Sequence, residues 1–154
     1  MSSIDPKTDF QTGHVGINVT DLDRAVRFYE RVFGFTIAGR SDEAPRRFAF
    51  LKNGDTPALT LWQQSAGRFD GQRPGLHHLS FHVPTLADVR AAEVRVRDAG
   101  GHFLYDGAVP HGEGADSGGV YFEDPDGIRL EIYSPTGAAG LTAPTSDAPS
   151  CGFF

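Results

Sequence analysis

An α+β fold built from two copies of a β-α-β-β-β unit is predicted for this 154-residue chain. Three observations predict it. The segments His14-Val-Gly-Ile-Asn-Val19 and His78-Leu-Ser-Phe-His-Val83 share one alternating pattern at an offset of 64 residues, the mark of an internal repeat. Each runs into a helix start of the same chemistry, Thr20 with Asp23 and Thr85 with Asp88, which read as N-cap and capping-box pairs. After each helix come three short β-rich segments separated by turn residues.

In the first unit the strand 14–19 leads into a helix whose stripe is Leu22, Ala25, Val26, Tyr29, Val32 and Phe33. Gly34 fits the left-handed residue that ends it. Strands follow at about 35–40, 46–52 and 58–63, with Asn53-Gly54-Asp55 as a reversal. In the second unit the strand 78–83 precedes a helix striped by Leu86, Val89, Ala92, Val96 and Ala99, ending at Gly100-Gly101. Strands at 102–105, 118–123 and 128–133 complete it, the last two joined by Asp124-Pro125-Asp126-Gly127. The polar, Gly-rich connections 64–75 and 106–117 are long enough to be functional loops over a pocket. Residues 1–136 thus read as one domain, with modules at about 13–64 and 76–134. The two modules are expected to form a cupped mixed sheet around a cleft, with helices on the outer face. The remainder, 137–154, is rich in Ala, Pro, Ser, Thr and Gly and reads as a mobile tail whose Phe153 and Phe154 could dock on the body.

Composition removes several functional classes. The net charge of -6, the pI near 5.4 and the scatter of 14 basic residues argue against a nucleic-acid partner. No apolar run approaches the roughly 20 residues that span a bilayer, and the first residues lack a secretory h-region. A soluble, cytoplasmic protein without a membrane partner is expected. Cys151 is the single cysteine, which excludes an intrachain disulfide and a Cys-based zinc site. A metal would have to be held by His and carboxylate.

Strand alternation puts His14 on the non-aliphatic face with Gly16 and Asn18, His78 with Ser80 and His82, and Glu131 with Arg129 and Tyr133. Two histidines at matching points of a repeat, with a glutamate on a third strand, suit a facial site for one divalent metal. Such a site leaves positions open for substrate and O2, as in Fe(II) chemistry; Mn, Ni, Co and Zn are also compatible with these ligands. At the point where repeat symmetry would place a counterpart of Glu131, the first unit offers only Thr60. His82 lies about 13 Å along the strand from His78, too far for the same metal and better placed to touch substrate. His77 is expected on the opposite face as a packing residue, and His102 has no constellation around it.

The stretches GHVGINVTDLDRAVRFYERVFGF, GLHHLSFHVPTLADV and YFEDPDGIRLEIY resemble the vicinal oxygen chelate superfamily over residues 13–135. That resemblance implies paired β-α-β-β-β modules cupped around a metal, with ligand positions falling on His14, His78 and Glu131. The superfamily includes glyoxalases, fosfomycin-modifying thiol transferases, ring-cleaving dioxygenases, epimerases and metal-free drug-binding proteins. The chain is most similar to single-unit extradiol catechol dioxygenases, whose tyrosine ten residues before the metal glutamate falls on Tyr121 and whose HG pair resembles His111-Gly112. It departs from them at Asp55-Thr56-Pro57, where they carry an acid-base histidine; His82 or His111 would have to take that role.

The resemblance therefore implies an Fe(II) dioxygenase that uses O2 to open the ring of a small catechol such as L-DOPA. Two alternatives stay open. One is a glyoxalase-like isomerase or fosfomycin-type thiol transferase; the other is a metal-free drug-binding module walled by Trp62, Phe50 or Tyr133. Sequence leaves open whether the two halves close within one chain or exchange partners in a homo-oligomer.

Overall fold

The computed structural model describes residues 7–154. Its first module runs β1 (Gly16–Val19), α1 (Leu22–Phe33), β2 (Thr36–Ser41), β3 (Phe48–Asn53) and β4 (Thr56–Gln63). The second runs β5 (Leu79–His82), α2 (Leu86–Asp98), β6 (His102–Phe103), β7 (Val109–Pro110), β8 (Gly118–Glu123) and β9 (Arg129–Ser134). The sheets are ordered β1-β4-β3-β2 and β5-β9-β8-β6, with β7 added to β8. In each, the chain starts on one edge, crosses over its helix to the other edge and returns by hairpins. It ends parallel to where it began.

The predicted elements are present with small shifts at their ends. Gly34 adopts φ 70 beyond α1, as a helix stop requires. Thr85 and Asp88 form the predicted capping box. The first helix corrects the reading: its N-cap is Asp21, whose carboxylate accepts from the Arg24 amide at 2.9 Å. Thr20 is drawn elsewhere. Its amide and hydroxyl both donate to the carboxylate of Asp126 in the second module, charge-assisted bonds that turn the side chain away from the helix amides, and its oxygen accepts from the Arg24 guanidinium instead.

Two other differences lie in the second half. β6 holds two residues rather than four, and the connection 106–117 contains β7, which reaches β8 at Gly118 and Gly119. A Cβ on Gly118 would stand 2.5 Å from the Val109 carbonyl oxygen, and one on Gly119 would stand 2.1 Å from that of Ile132. Only glycine permits strands to pack this closely.

How the modules sit on each other follows from the helices. On α2 the buried residues are Val89, Ala92 and Val96, a narrow stripe against its own sheet. On α1 they are Leu22, Ala25, Val26, Phe28, Tyr29 and Val32, a wider arc with two partners. One side packs on β3 and β4. On the other, Phe28 and Phe33 meet Phe122 at ring separations of 6.3 Å, and Phe33 meets Phe81 at 4.7 Å. The helix-covered backs of both sheets therefore share one core, and the polar face of each sheet is turned away from it.

A buried polar link joins the modules. The Tyr29 hydroxyl donates to Asp124 Oδ2 at 2.9 Å, while Asp124 Oδ1 accepts from the amides of Asp126 and Ile128. Burial pushes the Asp124 carboxyl up to about 6 despite these hydrogen bonds.

The tail, expected to be mobile, is tied down. The Ala138 amide donates to the Asp116 carbonyl at 2.7 Å. Ser150 is buried; its amide donates to the His111 carbonyl at 2.9 Å and its hydroxyl to that of Pro110 at 2.6 Å. The Tyr105 hydroxyl donates to the Ser150 carbonyl at 2.7 Å. Loop carbonyls that a sheet would otherwise satisfy find their donors here. Among the described residues no helix is long and apolar enough to cross a membrane.

Candidate metal centre

Glu131 is the focus of the outer face of the second sheet. On β9 it stands between Ser80 of β5 and Tyr121 of β8, and it is 2% exposed. The Tyr121 hydroxyl donates to its Oε1 at 2.9 Å, and His111 Nε2 is bonded to the same oxygen. The other His111 nitrogen pairs with Ser117 Oγ at 2.7 Å, which fixes the ring. His78 Nε2 approaches from the side of Oε2, at 3.5 Å.

The electrostatics suit a cation. Burial would raise the Glu131 carboxyl, but hydrogen bonds from His111, Ser80 and Tyr121, with the charge of His111, outweigh it and hold it below the usual range. Burial lowers His78, which keeps its imidazole neutral with a lone pair to give. Tyr121 is pushed up by burial and by the charge of Glu131, so its phenol stays a donor. An ionised carboxylate with one lightly engaged oxygen, beside a neutral imidazole, is a donor pair that fits a divalent metal.

The third expected ligand is not beside them. The Thr60 amide donates to the Val15 carbonyl at 2.9 Å, so strand alternation runs back to His14. That residue lies two positions before β1 and is exposed; in the strand it leads into, Ile17 and Val19 are buried while Gly16 and Asn18 are open to solvent. Among the described residues no three or more His, Cys, Asp or Glu side chains stand close enough to hold one ion.

The remaining candidates are distributed as follows. His111 and Tyr121 are brought onto Glu131. His82 lies two positions beyond Ser80, exposed, with its ring 5.8 Å from that of Tyr133. His102 pairs with Glu123 at 3.3 Å. His77 departs from expectation: it precedes β5, where alternation does not apply, and its Nδ1 lies 2.8 Å from that of His78 while its Nε2 meets the Gly152 carbonyl. Gly16 pairs with Thr60 as Ser80 pairs with Glu131, so Thr60 is the counterpart of the glutamate. Its hydroxyl is engaged by Trp62 and Val15.

Sequence reasoning did not assign Ser80, Ser117 or Tyr105 to the centre, and it allowed Phe154 to dock on the body without saying where. Ser80 was legible from its place between His78 and His82; the others depend on how the loop and tail fold.

This arrangement is a pair of β-α-β-β-β modules with a buried carboxylate at the focus of one outer sheet face, and comparison with known proteins gives its family. The chain belongs to the glyoxalase/bleomycin resistance protein/dioxygenase superfamily, whose family model matches residues 11–132. It is 33% identical over 149 residues to a 2-epi-5-epi-valiolone epimerase from Actinomyces sp, covering 81% of this chain and 80% of that one. It is 27% identical over 128 residues to the catechol-2,3-dioxygenase of Bacillus subtilis; that match covers 82% of this chain but spans only 42% of the dioxygenase. A solved glyoxylase/bleomycin resistance protein/dioxygenase domain from Frankia sp. EAN1pec superposes with a TM-score of 0.68 at 29% identity, covering 82% of this chain and 98% of the domain.

Proposed function

We propose that the chain is an Fe(II)-dependent extradiol dioxygenase of small catechols, with a metal held by His78 and Glu131 of one chain and His14 of a second copy. The observation that supports this reading most is the convergence of Tyr121 and His111 on the Glu131 carboxylate. The absence, among the described residues, of a third His or carboxylate placed to complete a metal site with His78 and Glu131 supports drawing His14 from a second copy: a two-fold dimer would lay the first module of each chain over the second module of the other.

Bound iron would supply open positions for both catechol oxygens and for O2. The chain's own groups do the rest. Tyr121, held protonated, donates toward charge that develops on substrate oxygens. His111, with one nitrogen on Ser117, is oriented to hold or return a proton at the ring oxygen. Asp55-Thr56-Pro57 lies at the exposed start of β4 and offers no acid-base group, so this role falls to His111. His82 stands two strand positions farther along the same face, where it would touch the distal end of the substrate.

A second reading has specific support. The epimerase relative is matched over most of its length, and proton transfer at carbon needs the same carboxylate, tyrosine and histidine. Anaerobic loading with Fe(II), followed by O2 and a catechol panel that includes L-DOPA, separates the two. The dioxygenase reading expects one O2 consumed per ring opened, with both oxygen atoms in the coloured product. Iron demonstrably bound without O2 uptake contradicts it; solvent deuterium entering a cyclic polyol ketone would then support the isomerase.

A further inference from the structure

The outer face of the second sheet is already filled. The ring of Phe154 lies 5.6 Å from that of Tyr121, 6.0 Å from Tyr105, 5.7 Å from His77 and 6.2 Å from His78. The Arg129 guanidinium stands over it at 5.3 Å, a cation–π contact. By contrast Phe153, one residue earlier, is 72% exposed. A segment that merely buried apolar surface had either ring available. The one that enters sits against a proposed metal ligand, His78, and against Tyr121.

The segment divides into an anchored part and a lightly held part. Ser150 is fixed through its amide, carbonyl and hydroxyl. Beyond it, the polar contacts of the last residues are a local turn bond from the Gly152 amide to the Pro149 carbonyl, at 3.2 Å, the His77 bond to the Gly152 carbonyl, at 3.2 Å, and a weaker approach of the Tyr105 hydroxyl to the Phe153 carbonyl, at 3.3 Å. Cys151 and Gly152 are only partly buried and are spanned by a turn. Four residues can therefore swing out about a fixed serine without disturbing the fold.

We propose that residues 151–154 are a displaceable plug: Phe154 occupies the subsite for an aromatic ligand ring, and such a ligand binds by expelling it. This rests on the cup being the ligand site, as the proposed function holds. The ring environment is itself the argument for the ligand class. Four aromatic or imidazole rings and a guanidinium accept a flat π-system edge-on and face-on, and offer little to an aliphatic polyol. A plug that is docked nine-tenths of the time lowers apparent affinity about tenfold, since only the open fraction binds.

The test compares the full chain with a form lacking residues 152–154 and with Phe154→Ala, each titrated with 4-nitrocatechol under anaerobic conditions, metal-free and loaded with Mn(II). Release of Phe154 from the full chain by carboxypeptidase A is followed in parallel. The proposal expects both altered forms to bind about tenfold more tightly than the full chain, and expects saturating 4-nitrocatechol to speed Phe154 release by a similar factor. Unchanged or weaker binding overturns it, as does release indifferent to ligand, and as does no binding by any form. Tighter binding of the altered forms that Mn(II) does nothing to strengthen supports the plug while contradicting the metal-and-catechol reading, so the two fail separately.

Discussion

Replacing Glu131 by glutamine is expected to weaken Fe(II) or Mn(II) binding by more than about 100-fold, because removing even a partner of a ligand typically costs 10- to 100-fold. Glutamine is the informative substitution. It keeps the shape and an oxygen for the Tyr121 hydroxyl and His111, and removes the charge that a divalent ion needs. Alanine would also leave those two donors without a partner in a buried site, at about 1–3 kcal/mol each, and would mix a folding defect with the loss of metal. The check is metal content after equilibrium dialysis, with circular dichroism to show an intact fold. Full retention of metal by Glu131→Gln would mean that the carboxylate is structural.

The second large effect is expected at Tyr121. Tyr121→Phe removes one preorganised donor from the substrate oxygens and should lower kcat about 100- to 1,000-fold at saturating Fe(II), with KM little changed, while loss of its hydrogen bond to Glu131 weakens metal binding by about 10- to 100-fold. The ring stays, so its packing against Tyr105 and the β8 to β9 pairing are undisturbed. An equal loss through KM would instead assign the hydroxyl to binding. Steady-state kinetics on the Fe(II) form separate the two.

Much of the module architecture was legible because a repeat displays its own symmetry. His14 and His78 stand 64 residues apart and Thr60 and Glu131 stand 71 apart, because the second unit has longer connections, and the observed registers Gly16 to Thr60 and Ser80 to Glu131 make Thr60 the counterpart of the glutamate. Local chemistry was less decisive where two residues compete. Thr20 and Asp21 are both good N-caps, and only the distant Asp126 decides between them. How the modules face each other was not read from alternation, which assigns a residue to a face without saying where that face looks. The signal was Phe28, just off the apolar stripe of α1: a helix with a second apolar side has a second partner. The tail escaped for another reason. Its composition is that of a loose linker, and its order comes from carbonyls in loop 106–117 whose need for donors no sequence pattern shows.

The claim that one metal is held by His14 of one chain with His78 and Glu131 of another is tested most directly by mixing two defective chains. His14→Ala and Glu131→Gln proteins, each expected to hold no tight metal alone, are refolded together and their metal content is measured. In a two-fold dimer each mixed pair regains one intact site, so random pairing should restore about a quarter of the wild-type content. No recovery from a mixture shown to contain mixed dimers, or stoichiometric metal in a wild-type chain that sediments as a monomer, would contradict the shared site.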